Sequence, residues 1–408
     1  MKRPVSATPL LRNARWLLLL GCLLLGPPTA AADTEALTLD ELRVQRKKMA
    51  HRKRRIIYNN DGDDIGGHSS ETPKGRNLDT PEELLTLRTA AILGSHVDSI
   101  FYHSTHGMKI IRQGGAFQQI YDFPDNSGFP TRNSKTLLAN SARDALDIMV
   151  DFSHRHGLEI VYSSRMNDNH DWFAPEILST IKTTHPEYTI GHALAPKGTR
   201  PEETLRRMLQ GKGPETTLNF ALPVIRDLTV EAMRQVCRNY DVDGIDLDYF
   251  RQPALFPPPV GPEHVELLND MMRKIRTMTE EEGLRRGRPI LISARAIISA
   301  DYALRHGHDI RTWLKEDLID VLMPIHIGRV KRASLGALIQ LAHRHQVPAY
   351  SCLKEPWALS NWPLARGEAL FRFSEGADGI TTFNQFDPGH RLWRELGDPE
   401  KLRTLPNK

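Results

Sequence analysis

From Arg54 onward the chain alternates short β-branched, apolar runs with longer stretches in which apolar residues recur every three or four positions. This is the signature of βα units built around a parallel sheet. The strand-like runs are RRIIYNN, VDSIFYHS, LEIVYSSR, DGIDLDYF, ILISARAI, IDVLMPIH, VPAYSCL and GITTFNQF. The stretches between them carry helix start and stop signals. In TPEELLTLRTAAILG, Thr80 is placed as the N-cap, Pro81 at the first helical position and Glu83 as the capping-box partner, and Gly94 closes the helix. SARDALDIMVDFSHRHG, TVEAMRQVCRNY, GPEHVELLNDMMRKIRTMTEEEG, RTWLKED, SLGALIQLAHRHQ and LARGEALFRFSEG follow with helical spacing. About eight such units predict an α/β fold, a (β/α)8 TIM barrel over residues 54–408. A doubly wound open sheet is the competing arrangement. Its dinucleotide-binding form lacks support, because no G-x-G-x-x-G run joins a strand to a helix. Two connections are long, roughly 105–140 after the second strand and roughly 169–224 after the third. Both leave from C-terminal strand ends, the face where barrel enzymes keep their sites, and both are expected to form functional caps.

A chain of 408 residues with 40% hydrophobic content can bury a core large enough for one such barrel. Residues 1–32 read differently. Lys2, Arg3, Arg12 and Arg15 precede an apolar run from Trp16 to Gly26, and Ala30, Ala31 and Ala32 stand before Asp33. That is the layout of a cleaved signal peptide, too short to span a bilayer, and it predicts a secreted or periplasmic protein with no stable membrane span. Cys22 in LLGC is a loose lipoprotein-type site, but apolar residues continue after it. The formal charge of +4 resides in this leader, so the mature chain is formally neutral. Its basic residues gather in RVQRKKMAHRKRR, Arg43 to Arg55, and residues 33–53 are read as a basic N-terminal helix or linker. A solvated segment is the plainer reading of that run, a nucleic-acid or membrane surface the alternative, and no nucleic-acid partner is expected. Cys237 and Cys352, read as lying in a helix and a strand, imply no disulfide framework.

The fourth strand carries the chemistry. VDGIDLDYFRQP, Val242 to Pro253, places Asp246 and Asp248 inside an otherwise apolar run. Successive side chains on a strand alternate faces, so Ile245, Leu247 and Tyr249 share one side and Gly244, Asp246 and Asp248 the other. With the apolar set against the helices, both aspartates point into the barrel and Asp248 lies nearer the mouth. Burial beside a like charge raises one carboxyl pKa and keeps a proton on it, the arrangement that acid/base and nucleophilic chemistry uses. The structural alternative spends the pair on internal salt bridges, with Arg295 of the fifth strand as partner. Asp243 is read as a turn residue.

DGIDLDYF resembles the D-G-x-D-x-D-x-E strand of family 18 chitinases at Asp243, Gly244, Asp246 and Asp248. Phe250 stands where those enzymes carry the catalytic glutamate, so their chemistry does not carry over. The stretch is more similar to TIM-barrel proteins of the family-10-like glycoside hydrolase class, whose fourth strand has D-G-I-x-x-D followed by an aromatic, a charged residue and proline. That resemblance implies a sugar-active barrel and leaves its substrate open.

Other strand ends supply candidate contacts. RMNDNHDW gathers Arg165, Asn167, Asp168, His170, Asp171 and Trp172, where arginine and amide groups suit hydroxyls or anions and tryptophan offers a stacking face. NNDGDD contributes Asn60 and Asp61 for sugar hydroxyls; as a calcium loop it fails, since Asp64 occupies the glycine position and no glutamate follows at the twelfth. His103, Tyr249, Arg251, Arg295, His326, Trp357 and Asn384 complete the expected substrate-binding set. The reading is an exported glycoside hydrolase acting on a poly- or oligosaccharide, without metal or cofactor. Asp248 is one catalytic carboxyl and Glu355, Asp246 or Asp171 the other. Two alternatives stand beside it: a non-catalytic carbohydrate-binding barrel, favoured by Phe250, and a metal-dependent hydrolase using His103, His170 and His326 with the acidic rim.

Overall fold

The computed structural model describes residues 37–67, 75–103, 116, 129–172, 174–211, 216–326, 331, 332, 334–353, 361–383 and 385–406. Eight strands form one parallel sheet: β1 (Ile56–Asn60), β2 (Val97–His103), β3 (Glu159–Arg165), β4 (Gly244–Asp248), β5 (Leu291–Ile297), β6 (Val321–Ile325), β7 (Tyr350–Leu353) and β8 (Gly379–Thr382). Their order is β6-β5-β4-β3-β2-β1-β8-β7. A parallel bridge between Leu322 and Ala349, with the Leu322 amide donating to Pro348 O at 3.0 Å, joins β6 to β7. The sheet therefore closes into the (β/α)8 barrel that the hydrophobic pattern predicts. The Thr80 capping box forms as expected, with Pro81 opening the helix Pro81–Arg88.

Strand alternation divides the core in two. Ile56, Tyr58, Ile100, Tyr102, Ile160, Tyr162, Ile245, Leu247, Tyr249 and Ile292 pack outward among the helices. Ile57, Phe101, Val161, Val321, Met323 and Tyr350 form a separate cluster inside the barrel. Gly244 falls on the inner side, and its lack of a side chain is a packing requirement: a Cβ there would come within 2.8 Å of the Leu291 carbonyl oxygen on β5.

The helix α1 (Leu39–Ala50) belongs to the same compact unit as the barrel. Thr38 and Glu41 close a capping box at its start. Three of its four basic side chains end on carboxylates: Arg43 on Glu280 at 2.8 Å, Arg46 on Asp320 at 2.6 Å and on Asp317 at 2.5 Å, and Lys47 on Asp317. Just beyond, Arg54 makes a buried two-pronged pair with Glu159 at 2.6 Å, and Ser99 Oγ donates to the same carboxylate at 2.5 Å. The basic run thus ties the N-terminal segment to the barrel. Residues 1–36, which hold the expected signal peptide, lie outside the described residues.

Candidate active site

The C-terminal end of β4 turns both aspartates inward, as alternation predicts, yet their surroundings differ. Asp246 is fully enclosed and saturated. It accepts from Arg295 Nη2 at 2.6 Å, Ser163 Oγ at 2.7 Å and Ser293 Oγ at 2.9 Å. Burial, aided by the charge of Asp248, still pushes its pKa up, against the pull of Arg295 and the two hydroxyls. Arg295 is held in turn by Asn59 on β1, whose Oδ1 accepts from Nη1 at 2.7 Å.

Asp248 lies one layer nearer the mouth and is 3% exposed. Its Oδ1 accepts from the backbone amides of Phe250 at 2.9 Å and Arg251 at 3.1 Å, which fixes the carboxylate plane. Its Oδ2 is 3.5 Å from Arg295 Nη1, a looser approach than Asp246 receives. The two inward acids thus divide: the deeper one anchors Arg295, and the outer one keeps an oxygen for other work.

The other side of the interior is apolar. Phe250, Ile325, Cys352 and Phe383 form their own buried cluster, with Phe250 and Phe383 edge to face at 5.8 Å between ring centres. Phe250, at the position of the chitinase glutamate, is therefore part of a hydrophobic floor, and the polar groups lie toward β1, β3, β4 and β5. An apolar platform beside carboxylates suits a sugar ring, which presents an apolar face and polar edges.

The rim after β1 contributes a feature that the sequence reading did not single out. Asp63 opens a short 3-10 helix, Asp63–Gly66, and is half-buried. Burial first, then the charge of Asp61, pushes its pKa up to about 6, while Arg165 and Arg88 pull the other way. Asp61 is paired with Arg88 at 2.8 Å. Asp64 is buried behind the rim, accepting from Asn60 Nδ2 at 2.7 Å and Tyr102 Oη at 2.9 Å.

The other expected contacts sort by strand parity and by saturation. Asn60 and Tyr249 fall on the helix-facing side and are removed from the mouth: Asn60 braces Asp64, and Tyr249 Oη donates to Met272 Sδ at 3.0 Å beside His308 and Trp313. Asn59, one residue earlier, is the inward asparagine. Arg165 pairs with Asp168 at 3.0 Å, and His170 Nδ1 meets the same carboxylate at 2.7 Å. Asn167 is a loop staple, bonding Leu218 in both directions and Ala254 O. Asp171 is buried against Lys182 at 2.6 Å and Thr216 Oγ1 at 2.5 Å. Trp172, by contrast, is 53% exposed. His103 is buried with Nδ1 donating to the Ser163 carbonyl at 2.7 Å, and His326 is half-buried at the end of β6. Glu355, Trp357 and Asn384 lie outside the described residues. Among the described residues, no three histidines, cysteines or acids are grouped as metal ligands, and no helix is long and apolar enough to cross a membrane.

Fold and site together define a closed (β/α)8 barrel with a carboxylate- and arginine-bearing mouth. No family model and no curated protein matches the chain. Solved structures with a similar barrel include a noncanonic maltogenic α-amylase from Thermotoga neapolitana, 10% identical, with TM-score 0.43 over 85% of this chain and 76% of that one. A GH36 α-galactosidase from Geobacillus stearothermophilus is 12% identical, with TM-score 0.45 over 87% of this chain and 43% of that one. A family 18 N-acetylglucosaminidase from Paenibacillus barengoltzii is 12% identical, with TM-score 0.44 over 78% of this chain and 97% of that one. This chain thus spans under half the length of the galactosidase. At these values the likeness carries no argument about the reaction, and it does not confirm the family-10-like resemblance of β4.

Proposed function

We propose that this chain is an exported glycoside hydrolase in which Asp248 and Asp63 work as a pair. The observation that carries the reading is the contrast between the two carboxyl groups. Asp63 is placed to hold a proton up to about pH 6, and Asp248 keeps one oxygen outside its backbone hydrogen bonds. Glycosidic cleavage needs this division of labour: one acid protonates the leaving oxygen, and one carboxylate attacks, stabilises or activates water at the oxocarbenium-like centre. Asp246 and Asp171 are less suited, because strong partners already occupy their oxygens. Glu355 remains the other candidate for the second carboxyl.

The test is turnover of a glycan panel by wild type, Asp248→Asn, Asp63→Asn and Glu355→Gln. Asp248→Asn should lower kcat at least about a hundredfold with the fold intact. Whichever of the other two loses a comparable amount is its partner. Undiminished cleavage by Asp248→Asn refutes the assignment. The apolar floor at Phe250 favours a second reading, a barrel that binds sugars without cutting them; binding across the panel with no cleavage by wild type would select it.

A further inference from the structure

Arg251 follows Asp248 by three residues and leans over the floor of the mouth. Its guanidinium carbon stands 4.8 Å from the centre of the Phe383 ring. Stacking of this kind holds the guanidinium by its face and leaves the N–H edges to bond elsewhere. Among the described residues nothing takes them: no carboxylate lies within ion-pairing distance, and Nε is buried without an acceptor. The other arginines around the mouth are engaged, Arg88 with Asp61, Arg165 with Asp168, and Arg295 with Asp246 and Asn59. Burial, and next the positive charge of Arg165, hold the Arg251 pKa below the ordinary arginine value, although Asp248, Asp61 and Asp168 act against this. The acids already present therefore leave this cation under-compensated.

We infer that Arg251 anchors an anionic group on the substrate, so that the glycan taken at this mouth carries a carboxylate or a sulfate; this rests on the glycan reading above. A planar fork of N–H donors matches two oxygens of either group and forms the stronger, charge-assisted kind of hydrogen bond. An anion there also offsets the repulsion between Arg165 and Arg251, which a neutral hydroxyl does not. The adjoining phenylalanine floor supports the apolar face of the same sugar.

The experiment is calorimetric titration of the full chain with two matched pairs: an oligogalacturonate and its carboxyl-reduced counterpart, and a carrageenan oligosaccharide and its desulfated counterpart. In at least one pair the charged member should bind about ten- to a hundredfold more tightly than its neutral match. That advantage should shrink as salt is raised. Arg251→Met, which keeps a side chain over Phe383, should bring the ratio near one, and Arg251→Lys, which keeps the charge but not the fork, should restore part of it. The pair that shows the preference identifies carboxylate or sulfate. Equal binding within both pairs by wild type, or a preference that survives Arg251→Met, overturns the inference, and the wild-type salt series stands even where a variant misfolds. Neutral glycans bound and cut without charge preference overturn this inference alone, whereas no binding and no cleavage of any glycan overturns it together with the glycan reading.

Discussion

Asp63 makes an unusual demand on the fold, because a carboxyl poised to give up a proton at the mouth is destabilising when it has lost that proton. Its pKa is raised from 3.8 to about 6, a difference of roughly 2 pK units, or about 3 kcal/mol at the conversion of about 1.4 kcal/mol per unit. The sign follows from proton binding. Between the unfolded and folded values the native state holds the proton more tightly than the unfolded chain, so stability is full below about pH 4 and declines as pH rises to about 6. Asp63→Asn removes the titrating group while keeping a neutral side chain of the same shape. The variant should match wild type near pH 4 and be more stable by up to about 3 kcal/mol near pH 8, read from denaturant midpoints at each pH. In the same protein glycan turnover should fall by about a hundredfold or more, and the decline of rate above about pH 6 should disappear. Stability gained where activity is lost is the expected signature of a functional group held in an unfavourable setting. If the midpoints of variant and wild type run parallel from about pH 4 to about pH 8, Asp63 does not hold its proton in the folded state and its role as acid lapses.

Two further substitutions contrast the two ends of the barrel. Arg295→Met strands Asp246 without its cation and should cost about 3–5 kcal/mol in denaturant unfolding; it should also lower kcat, because Arg295 Nη1 approaches Asp248 Oδ2 to 3.5 Å. Arg54→Met strands Glu159 at the opposite pole and should cost a similar amount, yet leave KM and kcat of the folded protein within about twofold of wild type. A loss of stability in either variant below about 1 kcal/mol would mean that the stranded acid neutralises or rehydrates cheaply.

Much of the architecture was legible because it depends on periodicity, which single residues do not disturb. Strand runs and helix caps predicted the closed barrel, and the alternation Gly244, Asp246, Asp248 against Ile245, Leu247, Tyr249 predicted which side faces inward. The same rule, applied to the first strand, would have replaced Asn60 by Asn59, since Asn59 shares parity with Ile57; it likewise removes Tyr249 from the mouth. What parity cannot convey is saturation. Asp171, Asn167 and Asp246 are polar residues at the right end of the barrel, but Lys182, the Leu218 backbone and Arg295 occupy them, and these partners lie 11, 51 and 49 residues away in sequence. Asp63 was hidden for a related reason: NNDGDD is read for hydroxyl contacts at Asn60 and Asp61, and it is burial together with the charge of Asp61, against the pull of Arg165 and Arg88, that lifts the Asp63 pKa.

Burying two like-charged side chains on one strand is explicable once their partners are separated. Placing both beside Arg295 distributes one positive charge unequally, 2.6 Å from Asp246 and 3.5 Å from Asp248. The closer contact is reinforced by two serine hydroxyls on the flanking strands, Ser163 and Ser293, and a third strand fixes the guanidinium through Asn59. Four strands therefore cooperate to hold one arginine. A buried ion pair of this kind contributes little net stability compared with apolar packing, so its value lies in position: a rigid cation directly beneath the outer carboxylate. Phe250 supports the same conclusion from the other direction. With an apolar ring at the position where a chitinase carries its glutamate, the proposed reaction draws only Asp248 from β4, and its second carboxyl is then sought after other strands, at Asp63 following β1 or at Glu355, which follows β7 in sequence.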